Sequence, residues 1–207
     1  MIFLSDDYVN KYQDVLGYII SRAINEKYAT PFIERTIAYS LPFIEFEKSN
    51  ITRIAFSSME SIYQELFPKK ENMQFVYNPY DEFGWVGYTY IRLFFDLRVT
   101  FELLFIIIPI DELLSMYHLY HEMDYTQTLM FVKSKIKHSY LDNVMINRQL
   151  SSKDVSSMTN ISYSTIKSLR YGIRDINKYE AYSLLKIAIA LNVRVETLLT
   201  DIYLLLK

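Results

Sequence analysis

The chain has 207 residues, of which 51% are hydrophobic, 16% aromatic and 22% charged, and its net charge is −2. This apolar content is enough for a packed core and excludes a wholly disordered protein. The absence of cysteine excludes disulfides, thiolate metal sites and a cysteine nucleophile.

Helices are predicted along the first two-thirds of the chain, because glycine and proline are few and apolar residues recur at three- and four-residue spacings. Residues 68–79 are predicted to form a loop, and Leu41-Pro42 to interrupt a helix. Most of the predicted helices have a capping residue at their start. The first begins at Asp6 or Asp7, and a short one follows Thr100. The others run from Thr30-Pro31 to Tyr39, from Asn50 to Leu66, from Asp81 to Leu97, from Asp111 to Glu122 and from Asp124 to His138.

The charge is unevenly distributed, since residues 1–132 carry −8 and residues 133–207 carry +6. Such an asymmetry favours a nucleic-acid partner for the basic part and another partner for the acidic part. We therefore expect an all-α chain with two domains: an acidic, aromatic-rich helical domain over 1–138 and a DNA-binding domain over 139–207. No basic region leads into an apolar run at the start, and charges interrupt the most apolar stretch, 93–110, so we expect a cytoplasmic protein without membrane contact.

The last quarter of the chain shows two short capped helices joined by a bend. Ser151 or Ser152 is predicted to cap the first helix, which is expected to bury Val155 and Met158. Asn160 stands at the bend, where a left-handed backbone is needed.

The second short helix is predicted to begin after Ser162, to turn Ile166 and Leu169 towards the core, and to end at Gly172. An apolar support helix is predicted over 179–191. A final short helix closes the core with three further apolar residues: Val193, Val195 and Leu198.

This order of elements is that of a DNA-reading helix-turn-helix, and about 50 residues of the segment resemble the Cro and lambda-repressor family. The resemblance implies a sequence-specific transcriptional regulator, of repressor type, rather than an enzyme. Three positions depart from the family pattern, where Ala, Gly and Gln are usual: Ser156, Asn160 and Ser152. The positions that carry the resemblance are Leu150, Ser151, Val155, Ser156, Asn160, Ile161, Ser162, Ser164, Thr165, Ile166, Leu169, Gly172 and the stretch from Leu185 to Val193.

The second helix of such a motif enters the major groove, so its outward residues are the candidates for base contacts: Tyr163, Ser164, Lys167 and Ser168. The candidates for phosphate contacts are Ser152, Lys153, Ser162, Arg170, Arg174 and Lys178. One module contacts little DNA, so we expect a homodimer, with the N-terminal domain as the more suitable dimer surface. No cofactor and no metal is expected.

Two other groups of residues admit a functional interpretation. His118 and His121, with Glu122 or Asp124, suggest a metal site, although hydrogen-bonded helix histidines are the simpler interpretation. The aromatic segment 80–90 suggests either helix packing against Gly84 and Gly87 or a binding surface.

Residues 83–90 together with 113–121 resemble the N-terminal parts of antitoxin-like regulators that carry a helix-turn-helix. Two alternative functions therefore stay open: a protein whose N-terminal domain neutralises a partner protein, and a regulator that senses a small ligand. Both alternatives place the binding event in the acidic half of the chain.

Overall fold

The computed structural model describes residues 6–48, 50, 52–67 and 75–199, which form α-helices and two short 3-10 turns and contain no strand. The all-α fold class is confirmed. The helices of the N-terminal part are α1 Asp6–Asn25, α2 Thr30–Tyr39, α3 Leu41–Glu47, α4 Thr52–Phe56, α5 Met59–Leu66, α6 Glu82–Leu97, α7 Phe101–Ile107, α8 Ile110–Tyr120 and α9 Tyr125–Lys135. The C-terminal part contains α10 Tyr140–Asn147, α11 Ser152–Thr159, α12 Tyr163–Arg170, a 3-10 turn Ile176–Lys178, α13 Ala181–Leu191 and a 3-10 turn Val195–Leu198.

Helices α1 and α6 form the centre of the N-terminal part. A Cβ added to Gly87 would lie 2.3 Å from the carbonyl oxygen of Gln13 and 2.6 Å from the amide nitrogen of Gly17, both on α1. Only a residue without a side chain allows the two backbones to approach this closely. The expected close helix approach is therefore confirmed at Gly87.

Several helix starts agree with the predicted caps. Asp81, Thr100 and Asp124 each accept a hydrogen bond from a backbone amide in the first turn of the helix that follows. Helix α9 ends at Lys135, three residues before the predicted end at His138, since Ile136 adopts an extended backbone. Helix α6, by contrast, ends at Leu97 as predicted.

Other elements differ from the prediction. The α2 cap is Ala29, not Thr30, whose hydroxyl instead donates to Asp111 Oδ2 at 2.6 Å. The helix predicted from Asn50 to Leu66 is two helices, because Ser58 is extended and caps α5 by accepting from the Ser61 amide. Residues 68–74 of the predicted loop lie outside the described residues.

Leu41-Pro42 does interrupt α2, and Pro42 then occupies the first turn of α3, a helix that the sequence analysis did not predict. Proline is tolerated there because first-turn amides have no partner within the helix. The same two residues therefore end one helix and begin the next.

The C-terminal part packs on the N-terminal part through buried polar groups. Glu102 in α7 accepts from the Arg194 amide at 3.0 Å and from the Thr197 hydroxyl at 2.6 Å through Oε2, and from the Tyr39 hydroxyl at 2.5 Å through Oε1. Thr100 and Thr197 place their hydroxyls 3.1 Å apart in the same buried region. These contacts fix the position of the helix-turn-helix against the N-terminal helices. The division of the chain into domains at 1–138 and 139–207 stays a prediction.

Among the described residues, no single helix is both long and apolar enough to cross a membrane.

Candidate nucleic-acid interface

The first helix of the motif, α11, begins with a reciprocal cap. Ser151 Oγ accepts from the Asp154 amide at 3.2 Å, and Asp154 Oδ2 accepts from the Ser151 amide at 2.8 Å. This arrangement satisfies two backbone donors that a helix start otherwise leaves unpaired. Of the two candidate caps, the structure therefore selects Ser151.

The bend between α11 and α12 has the predicted left-handed residue. Asn160 has φ 58° and ψ 28°, a conformation that asparagine tolerates better than most residues. The hydroxyl of Ser156, which replaces the usual Ala, donates to the Ile161 carbonyl at 2.6 Å across the bend. Both departures from the family pattern thus preserve the turn.

The inward face of α11 differs in one position from the prediction. Val155 is fully buried as expected, but Met158 is 57% exposed, so its expected burial was wrong. Thr159 takes the core position instead, and its hydroxyl donates to the Val155 carbonyl at 2.7 Å. A polar residue is accepted in this core because its hydroxyl is satisfied within its own helix.

Helix α12 is capped by Ser162, whose Oγ accepts from the Thr165 amide at 3.2 Å. Ile166 and Leu169 are buried at 0% and 1% exposure, as predicted. Their burial fixes the rotation of α12 about its axis, and the opposite face is turned outward.

The outward face of α12 carries the four candidates for base contacts. Tyr163 is 51% exposed, and Ser164 and Lys167 are exposed. Ser168 is half-buried, and its hydroxyl donates to the Ser164 carbonyl at 2.8 Å. Three of the four side chains are therefore open to a ligand, while the fourth already uses its donor.

The candidates for phosphate contacts fall into two groups. Lys153, Ser162, Arg174 and Lys178 are exposed around α12. Ser152 is only 6% exposed, so its side chain offers little surface to a phosphate, and its expected phosphate contact stays a prediction.

Arg170 belongs to an internal network at the end of α12. Its Nε donates to Asp142 Oδ1 at 2.7 Å, and its carbonyl accepts from the Ser139 hydroxyl at 2.6 Å. His138 Nδ1 lies 2.8 Å from Asp142 Oδ2. Burial opposes ionisation of Asp142, but the hydrogen bonds from His138 and Arg170 outweigh it and lower the pKa of this carboxyl. Arg170 is thus held by the helix that precedes the motif, with its side chain 18% exposed.

The turn after α12 depends on a residue without a side chain. Gly172 has φ 68°, and an added Cβ would meet the His138 carbonyl oxygen at 3.2 Å. Glycine adopts this left-handed backbone without strain. The predicted end of α12 at Gly172 is confirmed, and the turn brings Arg174 to the surface.

Helix α10 and its buried Asp142 were not predicted from the sequence. A signal was present, because Ser139 is followed three residues later by an acidic residue, the spacing of a helix start. In the structure Ser139 Oγ accepts from the Asp142 amide at 3.1 Å. The side chain of Asp142 turns inward to bind Arg170, which no local pattern predicts.

His118 lies in α8 and His121 directly follows this helix, and neither meets a third metal ligand among the described residues. His118 is exposed, and His121 places Nδ1 2.7 Å from the Tyr117 carbonyl and Nε2 3.6 Å from Glu122. No group of three His, Asp or Glu side chains with a metal-binding arrangement occurs among the described residues.

Residues 140–202 match the family model of the Cro/C1-type helix-turn-helix DNA-binding domain. The match begins at the first residue of α10 and contains both helices of the bend. The C-terminal part of this chain is therefore a Cro/C1-type helix-turn-helix domain, a type of domain that binds DNA. No curated protein and no solved structure gives a significant match.

Proposed function

We propose that the protein is a sequence-specific transcriptional regulator that reads the major groove with α12 and represses by occupying its operator. The observation that carries the proposal is the free outward face of α12. Lys167 forms no ion pair with any described residue, and Tyr163 and Ser164 stand beside it on the same exposed face. A lysine in this position can donate to the acceptors of a guanine edge.

The affinity is expected to rest largely on phosphate contacts. Lys153, Arg174 and Lys178 are exposed, and each phosphate that such a residue neutralises releases counterions, with a slope of about −0.9 per contact on logarithmic axes. Fluorescence anisotropy with the duplex upstream of the gene and a scrambled duplex, at several salt concentrations, tests this. We expect a steep salt dependence for both duplexes and tighter binding of the first. Equal affinity for both at every salt concentration would contradict sequence-specific reading.

We also propose that the regulator binds as a homodimer. One motif covers only a few base pairs, and two copies read half-sites about 34 Å apart, one helical turn of DNA. Light scattering of the free protein and of its DNA complex measures this directly. A monomer in both states at tens of micromolar contradicts the dimer.

A second candidate function, ligand sensing, is favoured by a cleft of about 460 Å³ between the two parts of the chain. Glu34, Tyr39 and Phe105 line it from the N-terminal part, and Arg148 and Asn192 from the C-terminal part. A ligand in this cleft would contact residues of both parts of the chain, so it would change DNA affinity if it bound one arrangement of the two parts more tightly than another.

The sensing function is tested with the small-molecule fraction of a cell extract. We expect it to change the DNA affinity of the wild type and to act less on Arg35→Ala, which removes an exposed residue of the cleft wall. Unchanged DNA affinity and an unchanged melting temperature of the wild type argue against sensing. The antitoxin-like alternative rests on the −8 charge of residues 1–132, and a pull-down with the full chain as bait tests it.

A further inference from the structure

A second pocket, of about 290 Å³, lies in the N-terminal part at α1, α6 and α8. Its walls are largely aromatic, and its two carboxylates are Asp14 and Asp81. His121 also lines it, whereas no lysine or arginine of the described residues does. The side chains that matter here are Asp14, Tyr80, Asp81, Trp85, Tyr88 and Tyr117.

The pocket is built around the first turn of α6. A Cβ on Gly84 would lie 1.9 Å from the Pro79 carbonyl oxygen, so the preceding turn rests directly on the helix. Asn78 Oδ1 accepts from the Tyr80 amide at 3.0 Å and holds this turn. The Tyr80 side chain is left 90% exposed at the edge of the pocket, with no packing role that explains it.

The two carboxylates of the pocket differ in their partners. Asp81 Oδ1 accepts from the Phe83 and Gly84 amides at 2.9 and 3.2 Å, so this residue serves as the cap of α6. Asp14 is half-buried and makes no hydrogen bond or ion pair with any described residue. Burial raises the pKa of Asp14, as expected for a carboxyl that has lost water without gaining a donor.

Ring packing explains the positions of Trp85 and Tyr117, but it does not explain why a carboxylate is present at position 14. Trp85 and Tyr117 meet edge to face with centroids 5.8 Å apart, and Tyr117 stacks on His121 at 4.4 Å. These contacts would be the same with an apolar residue at position 14. A carboxylate without a partner among the described residues, in a pocket also lined by Trp and Tyr rings, suits an organic cation, because the carboxylate charge and the ring quadrupoles both attract it.

We propose that this pocket binds an alkylammonium cation, with Asp14 as the counter-charge and the rings of Trp85 and Tyr80 as the wall. The ring of Tyr88 already has the Arg92 guanidinium 5.4 Å from its centroid and is not counted as part of this wall. The negative charge of the surrounding half of the chain favours the approach of such a ligand. The ammonium group belongs either to a free small molecule or to a lysine side chain of a partner protein. Binding at this pocket does not depend on DNA binding, so either this proposal or the proposed regulatory function can be wrong while the other is right.

The experiment uses Trp85, the only tryptophan of the chain, as the reporter. The full-length protein is titrated at constant ionic strength with choline, with its neutral carbon isostere 3,3-dimethylbutan-1-ol, and with Nα-acetyl-lysine methylamide, and calorimetry repeats each titration. We expect a saturable response to at least one of the two ammonium compounds and none to the alcohol. Preference for choline indicates a free ligand, and preference for the lysine compound indicates a partner's side chain.

Three variants complete the test. Asp14→Asn is expected to weaken binding by about fivefold or more, and Tyr80→Leu, which changes an exposed residue, by about twofold to fivefold. Glu65→Gln removes the same charge at a residue outside the pocket and is expected to bind like the wild type. No saturable binding by either method, equal binding of the neutral isostere, or unchanged affinity of folded Asp14→Asn would overturn the proposal.

Discussion

The Arg194 guanidinium binds both carboxylate oxygens of Glu47, a residue 147 positions earlier in the chain: Nη2 lies 2.9 Å from Oε1 and Nη1 lies 2.8 Å from Oε2. Glu47 Oε1 also accepts from the Phe101 amide at 2.7 Å. Burial raises the pKa of Glu47, and the hydrogen bonds and charge of Arg194 oppose that rise. One side chain of the C-terminal part therefore balances a charge buried in the N-terminal part.

Replacing Arg194 by methionine is expected to destabilise the protein by about 3–5 kcal/mol, because it leaves Glu47 buried without its counter-charge. The double variant Glu47→Gln/Arg194→Met is expected to lose less than Arg194→Met alone, since no uncompensated carboxylate remains at that position. Urea unfolding of the wild type and both variants measures this. A double variant that is less stable than Arg194→Met would show that the ion pair is not the main term.

Two substitutions on the DNA face are expected to act differently. Lys167→Ala should reduce the discrimination between operator and altered operator by about 1–3 kcal/mol, because a base contact is lost. Arg174→Ala should weaken all duplexes alike and reduce the salt slope by about one. Anisotropy titrations compare them with Lys48→Ala, an exposed lysine of the N-terminal part that should change neither. The assignment of Lys167 fails if its loss weakens every duplex equally.

Glu34 carries a prediction about pH. Burial raises the pKa of this carboxyl from 4.5 to about 7, although the Ile110 amide donates to it at 2.7 Å. A pKa raised in the folded state means that the unfolded chain binds fewer protons between these two values, so stability falls as pH rises through this window. Glu34→Gln keeps an acceptor for Ile110 and is expected to add on the order of 1–2 kcal/mol at about pH 8, after allowance for solvent screening, and little at about pH 4. Thermal unfolding against pH, with Glu65→Gln as the control, checks this, and an equal gain at both pH values would contradict it.

Asp142 carries the opposite dependence. Its pKa is lowered in the folded state, so its contribution is present above the pKa of the unfolded chain and is lost as pH falls through the folded value. Asp142→Asn is expected to cost about 1–3 kcal/mol at neutral pH and progressively less in acid. Since the substitution also frees Arg170, we expect the salt slope of DNA binding to steepen by about one. Unfolding curves and anisotropy measure the two effects, and a loss that stays constant into acid would contradict the first.

The sequence predicted the helix-turn-helix well because its determinants are local. A capping serine at the start of each helix, an asparagine at the bend and a glycine after α12 each act within a few residues of chain. The burial of Ile166 and Leu169 follows from helix periodicity alone. Because those two residues fix the inward face of α12, its outward face follows from the same periodicity.

The sequence could not predict contacts that join distant residues. Arg170 has the charge and position of a phosphate ligand, but its engagement with Asp142 depends on how α10 packs against α12. Met158 and Thr159 are adjacent, and the polar one is buried because its hydroxyl finds a carbonyl within its helix. In the N-terminal part, the aromatic segment gave two interpretations, and only the structure shows Gly87 at a helix crossing and Gly84 beneath a turn.

The contacts of Glu102 with Arg194 and Thr197 also bear on how the protein is made. During synthesis α3 and α7 leave the ribosome long before the segment that supplies their partners, and N-terminal parts generally fold first. Until residues 194–197 emerge, Glu47 and Glu102 have no cation or hydroxyl from that segment, so the early helices stay short of their final packing. A nascent chain that ends before residue 194 should thus bind chaperones and be cleaved by proteases more readily than the full chain. The N-terminal helices would reach their final packing only once the DNA-binding domain has been synthesised.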